Sequence, residues 1–237
     1  MEKSKFINFI QKYHLGGNTD SAKLVVSGKQ LSTKFISSDQ NVIGEVLMKE
    51  FDTGNVELGV YSTSQLVKML SAIDEKMSIT FGETDNKVYS INFKDQSTNV
   101  TYMLADLSVI RQVPNLKSLP EFEVKIELNK EFASNFKKAA NALPESDNFG
   151  VACDGVDTKI IINHSSVNTN RIVFNAVAKE FVKMDTVCFS AKLFKEILNA
   201  NSDTNGLLEV SSKGLARVTF ESNDYSSAYY LVKLTIA

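Results

Sequence analysis

A chain of 237 residues with 43% hydrophobic and 23% charged side chains can bury a real core and reads as globular, one large domain or two of ordinary size. No stretch approaches the roughly 20 apolar residues of a membrane-crossing helix, and Lys3, Lys5 and Lys12 interrupt Phe6, Phe9 and Ile10 where a signal peptide would be continuously apolar, so an intracellular location is expected. A net charge of −2 excludes a protein that meets nucleic acid over its whole surface; any such contact must be local.

The first helix is predicted over residues 4–13, where Phe6, Phe9, Ile10 and Tyr13 fall at i, i+3, i+4 and i+7 and Gly16-Gly17 supplies the stop. Alternating strands follow at 24–26, 31–36 and 42–48. After a strand ending at Val60, Ser62 caps a second helix with Gln65 as its capping-box partner, and Leu66, Met69, Leu70 and Ile73 form the apolar face. Strands at 78–81, 88–93 and 100–104 complete the half.

Residues 106–121 lack strand alternation and carry two of the three prolines, Pro114 and Pro120, so they read as an extended connector. Leu107, Val109, Ile110, Val113, Leu116 and Leu119 make it apolar enough that all six are expected to pack down. Beyond it, Asn129 caps a helix with Phe132, Phe136, Ala139, Ala140 and Leu143 on one face and Pro144 at its end. Strands are predicted at 149–153, 159–163 and 171–177. Ser190 caps the fourth helix (Leu193, Phe194, Ile197 and Leu198 inward), followed by strands at 207–210, 216–220 and 228–234.

The order helix, then strands, thus appears four times. Residues 60–70 and 188–198 both run strand, serine cap, short helix, at an offset of 128, close to half the chain. Two similar domains are expected, at 1–105 and 122–237.

The polar faces of the helices are sorted by charge. Over 2–14, 62–73, 129–143 and 190–200 there are nine lysines and three glutamates, a charge of +6, which leaves −8 on the remainder. Lysine on any one exposed helix is ordinary. A lysine excess on all four, with acids collected in strands and loops, is not what a randomly solvated surface gives.

No catalytic constellation is present. His14 and His164 stand without an adjacent acid or cysteine pattern, Cys153 and Cys188 read as buried thiols, and Gly28-Lys29 lacks the rest of a phosphate loop. Asp154 and Asp157 flank Gly155 in a hairpin turn. No enzyme activity, metal or cofactor is expected.

Two similar β-rich domains, each with two helix-plus-strands units and joined by a long apolar connector, resemble a sliding clamp, the DNA polymerase processivity factor. The N-terminal helix without a preceding strand is similar to the clamps of T-even-type bacteriophages, as are Phe132-Ala133-Ser134-Asn135-Phe136-Lys137-Lys138-Ala139-Ala140 and Tyr229-Tyr230-Leu231-Val232-Lys233-Leu234. The resemblance covers essentially the whole chain and implies an α+β DNA-clamp fold, with sheets outside and helices lining a ring. It also implies a homotrimer around double-stranded DNA, loaded by an ATP-driven clamp loader, tethering a replicative DNA polymerase, and in such phages serving viral transcription. A phage protein would act in the cytoplasm of the infected bacterium.

On that resemblance Lys5, Lys12, Lys68, Lys130, Lys137, Lys138, Lys192 and Lys195 face DNA. Val100, Tyr102 and Leu104 of one subunit meet Ile172, Phe174 and Ala176 of the next by edge-strand pairing. Val109, Ile110 and Val113 on the connector, with Tyr229 and Leu231 beneath, form the groove for a partner's hydrophobic peptide. The rival readings are a β-rich structural ring or tube protein of a virion, which predicts no lysine bias, and a single-stranded DNA binder, which needs aromatics interleaved with basic residues on exposed strands.

Overall fold

Four helices and sixteen strands alternate along the chain in the computed structural model, which describes residues 1–85, 87–116 and 118–236. α1 (Lys3–His14) is followed by β1 (Ala22–Ser27), β2 (Gln30–Ile36), β3 (Val42–Met48), β4 (Val56–Val60), α2 (Thr63–Leu70), β5 (Ser78–Thr84), β6 (Lys87–Lys94) and β7 (Asn99–Met103). Then come β8 (Val124–Leu128), α3 (Lys130–Ala142), β9 (Asn148–Cys153), β10 (Thr158–Ile162), β11 (Ile172–Ala176), β12 (Ala178–Phe181), β13 (Met184–Ser190), α4 (Ala191–Ala200), β14 (Gly206–Ser211), β15 (Leu215–Glu221) and β16 (Tyr225–Val232). Among the described residues no helix is long and apolar enough to cross a membrane.

Two units form, and each borrows a piece of the other half of the chain. The first holds Met1–Ser38, Gly44–Pro114 and Asn223–Ser227; the second holds Asp39–Ile43, Asn115–Ser222 and the chain from Ala228 onward.

In the first unit the strands between the two helices are ordered β3-β2-β1-β4, and the strands after α2 are ordered β5-β6-β7. The opening of β16 belongs here, beside β3: Lys49 N–H donates to Asp224 O at 2.9 Å. The apolar face of α1 supplies the core. Phe6, Phe9, Ile10 and Tyr13 are all but inaccessible, with the Phe6 ring 5.7 Å from Phe93 and Tyr13 6.4 Å from Phe35. Each such ring contributes about 2–3 kcal/mol of transfer free energy. The helix ends at His14, two residues before Gly16. Leu15 itself takes the left-handed conformation (φ 47°) and is fully buried, so packing offsets the steric cost of a positive φ at a non-glycine residue.

The second unit repeats the pattern. Its strands between helices run β11-β10-β9-β13, again third, second, first, last, and β14-β15-β16 follow α4 in chain order. Phe132, Phe136, Phe149 and Phe194 make a cluster with ring separations of 4.7 to 6.3 Å. Asn129 and Ser190 cap their helices, accepting from Phe132 N–H and Leu193 N–H at 2.9 and 3.3 Å. Asp39–Ile43 lies at the far end of β16, where Val232 N–H donates to Asn41 O at 3.0 Å.

The repeat is closer than the sequence halves suggest. β8 precedes α3 and pairs antiparallel with β14. The first unit keeps a single bridge at that place, Glu2 to Lys76, just before α1 and β5. Three departures from expectation have local causes. β8 alternates buried and half-buried residues but sits next to the connector, where no strand is expected. β12 is short and mostly exposed, so it lacks alternation. β16 begins at Tyr225 because the buried Ser227 occupies a core position with a polar residue.

Candidate DNA-facing surface, open sheet edges and connector groove

Seven of the eight helix lysines expected to face DNA have solvent-accessible side chains, and one does not. Lys68, Lys130, Lys138 and Lys192 are exposed, and Lys137 and Lys195 are half-buried. Lys195 Nζ donates to Asn141 Oδ1 at 3.3 Å across the α3–α4 seam. Lys5 is half-exposed and ion-paired to Asp224 at 3.3 Å. Lys12 is corrected: it is 1% exposed, with its ammonium 5.1 Å above the Tyr225 ring. Twelve residues of α1 with apolar residues at 6, 9, 10 and 13 leave position 12 beside the apolar stripe, and Tyr225 closes over it.

β7 and β11 are both edge strands of their sheets. Five of the six residues named for a subunit contact are their inward-facing set, and the sixth, Leu104, lies just past the end of β7. Tyr102 is buried, its hydroxyl donating to Ser62 O at 3.0 Å. Phe174 packs edge-on to Phe132 at 5.8 Å, and Val100, Leu104, Ile172 and Ala176 are half-buried. The outward apolar side chains are instead Met103, 62% exposed, and Val173, 47% exposed. The alternation was legible, with Asn99, Thr101 and Asn175 on the outward face, but alternation alone does not tell a face that meets its own core from one that meets another subunit.

The connector divides its apolar residues. A short 3-10 turn at Leu107–Val109, begun by Asp106 accepting from Ser108 N–H at 2.9 Å, turns Ile110 inward. Gly59 permits the close approach. A Cβ there would lie 2.4 Å from Ala105 O and 3.4 Å from Ile110 Cγ1. Ile110 is buried, Leu107 and Val113 are half-buried, and Val109, Leu116 and Leu119 are exposed, so the expectation that all six pack down is corrected for the last three.

Between the connector and the β1–β2 hairpin lies a cavity of about 360 Å³ lined by Val25, Leu107, Ile110 and Val113 with Lys23, Lys34 and Arg111 among its polar walls. Val109 is not among its lining residues, since the 3-10 turn aims it outward. Tyr229 and Leu231 are core residues of the second unit, 0% and 1% exposed, with the Tyr229 hydroxyl accepting from Asn201 Nδ2 at 2.9 Å; both are removed from the groove. Nothing local pointed to the hairpin lysines, because strand alternation marks them only as solvent-facing.

His14 has company that its sequence neighbours do not show. Its Nε2 lies 3.1 Å from Ser64 Oγ and 3.5 Å from Asp20 Oδ1. Burial lowers its pKa, and the Asp20 charge only partly opposes this. For Asp20 partial burial acts upward, but hydrogen bonds from Ser64 and Ser62 outweigh it and hold the carboxyl below its usual range. One ring nitrogen faces both partners, so the group cannot relay a proton from serine to carboxylate as a triad does; it ties the end of α1 to the start of α2. Among the described residues no group of three or more His, Cys, Asp or Glu side chains could hold a metal ion.

No protein-family model matches the sequence, and no curated protein is similar to it in sequence. Solved structures do match. A structure of the C-terminal region of FEN-1 bound to A. fulgidus PCNA superposes with a TM-score of 0.78 at 18% identity, covering 100% of this chain and 98% of that one. Proliferating cellular nuclear antigen from Entamoeba histolytica superposes with a TM-score of 0.74 at 15% identity, over 99% and 97% of the two chains. The likeness spans the whole chain, and the fold is the α+β clamp fold of PCNA.

Proposed function

We propose that the protein is a sliding clamp: a homotrimeric ring that encircles duplex DNA and tethers a replicative polymerase, with no chemistry of its own. The observation that carries this reading is the pair of open edges, β7 and β11. β16 holds the place in the second half that β7 holds in the first, and β3 holds the place in the first half that β11 holds in the second. The opening of β16 already lies along β3, as Asp224 O on Lys49 N–H shows. The same pairing between β7 of one chain and β11 of the next gives each of these two edges a partner, and Met103 and Val173 lose their exposure. Closure of three chains brings twelve helices together.

The exposed lysines of α2, α3 and α4 then supply a positive lining for duplex DNA, which carries one charge per roughly 1.7 Å of axis. Long lysine side chains hold phosphates without reading bases, as sliding demands. The connector groove takes hydrophobic peptides of clients; the A. fulgidus PCNA match was solved with the C-terminal region of FEN-1 bound. An ATP-driven loader opens and closes the ring. The T-even bacteriophage kind, with its role in viral transcription and its place in the infected cell's cytoplasm, rests on the short sequence runs named above. The virion-ring alternative has no such whole-chain likeness behind it.

Replacing Lys68, Lys137, Lys138 and Lys195 together by glutamate tests the lining. The variant should fold, because these side chains are exposed or half-buried, and should lose loader-dependent polymerase stimulation. Full stimulation by the variant would refute the DNA-facing assignment.

A further inference from the structure

The groove beneath the connector is cationic in a way that an apolar peptide site does not need. Lys23 and Lys34 stand directly opposite each other in the β1–β2 ladder, an arrangement that is unfavourable for like charges. Each is offset by a surface glutamate, Lys23 by Glu57 at 2.7 Å and Lys34 by Glu45 at 2.9 Å. Arg111 has no such offset: among the described residues no carboxylate pairs with it, and its side chain is exposed on the connector.

Arg111, Lys34 and Val113 also line a second, smaller cavity of about 70 Å³ whose wall includes Thr19 and Asp20. Thr19 is 3% exposed, and its hydroxyl has no hydrogen-bond partner, a costly state for a buried polar group. The Asp20 carboxylate is already engaged, accepting from Ser64 N–H at 2.7 Å and from Ser62 Oγ at 3.1 Å. An apolar trough thus runs into a small polar recess with one unpaired guanidinium, a lysine and the hydrogen-bonded Asp20 carboxylate, and the orphan Thr19 hydroxyl lies within its wall.

We infer that the groove selects partner peptides carrying an aspartate or glutamate side chain next to their apolar anchors, with Arg111 as the specificity-determining residue. Leu107, Ile110, Val113 and Val25 take the apolar side chains, and the carboxylate enters the recess to meet Arg111 and Lys34 and accept from the Thr19 hydroxyl. A recess of about 70 Å³ has room for a carboxylate and its methylene but not for a continuing backbone, which favours a side chain. Arginine presents a planar fork that fits a carboxylate in two places. The inference rests on reading the groove as a peptide site.

The test is fluorescence polarisation with the intact protein and labelled ten-residue peptides, C-terminally amidated. They carry two leucines and a phenylalanine on a Ser-Gly-Ala background, with a single Asp or Asn stepped through the other positions. At one or two positions Asp should bind about three- to tenfold tighter than Asn, and added salt should shrink the difference. Arg111→Gln should abolish the preference while leaving the Asn peptides unchanged. Equal binding of Asp and Asn peptides throughout, or a preference that survives Arg111→Gln, overturns the inference. A preference found only when the peptides end in a free carboxylate would make the chain end the ligand and overturns the side-chain assignment. Val113→Gln separates the two levels: if it removes binding of peptides that show no Asp preference, the groove stands and the inference falls. If no peptide binds, or Val113→Gln changes nothing, both fall.

Discussion

Lys12 and Tyr225 meet as cation and ring, the ammonium 5.1 Å from the ring centroid in a site where the lysine is 1% exposed. The tyrosine is fixed in turn, its hydroxyl donating to Lys5 O at 2.9 Å. A lysine that belongs by spacing to the positive face of α1 therefore works in the packing of β16 onto that helix. Lys12→Glu should destabilise the first unit by about 3–5 kcal/mol, since it puts the wrong charge into a closed site. Lys12→Met should cost no more than about 1–2 kcal/mol and leave DNA retention intact. Urea unfolding of the two variants measures both, and equal stability of Lys12→Glu and wild type would refute the burial.

Acid should weaken the first unit through His14. Its folded pKa lies below the ordinary 6.5, burial being the main cause, so the unfolded chain takes up the proton first as pH falls. The stability it contributes is complete above about 6.5 and is lost as pH drops through the folded value. The Asp20 carboxyl, held below 3.8, acts in the same direction but in a more acid window. Urea midpoints should fall between pH 8 and pH 5.5 in the wild type, and His14→Gln should flatten that slope.

Glu209 is 4% exposed and sits across from Arg217 in the β14–β15 ladder, receiving the Arg217 Nε–H. Arg217 also stacks over Phe122 at 5.1 Å. Arg217→Ala leaves a buried carboxylate short of a partner and should cost about 2–4 kcal/mol, whereas the paired change Glu209→Leu with Arg217→Met should recover most of it. Thermal unfolding of the three proteins distinguishes a pair that matters from one that does not.

The open edges predict how assembly fails. An aspartate in place of Met103 or of Val173, both exposed in the single chain, should leave each chain folded but weaken association by tenfold or more, because an unpaired charge would be caught in the interface. Sedimentation over a range of concentrations measures this, and unchanged association would remove β7 and β11 from the interface.

Much of the fold was written in local periodicity. The apolar faces of α1 and α3, the Ser62, Asn129 and Ser190 caps and the alternation of β1 to β3 each follow from neighbours in sequence. What was hidden depends on distant residues. Lys12 looks solvent-facing until Tyr225, more than two hundred positions away, covers it. Tyr229 and Leu231 alternate correctly on β16, but only packing shows that they face a core and not a groove. Lys23, Lys34 and Thr19 join Arg111 only because the connector folds back over the first hairpin, which Gly59 allows.

The central claim is a closed ring of three chains, and the molar mass in solution tests it most directly. Light scattering across the micromolar range should give three times the 26.3 kDa of one chain, with crosslinking trapping a three-chain species and nothing larger. A mass of one chain that persists at high concentration would contradict the ring.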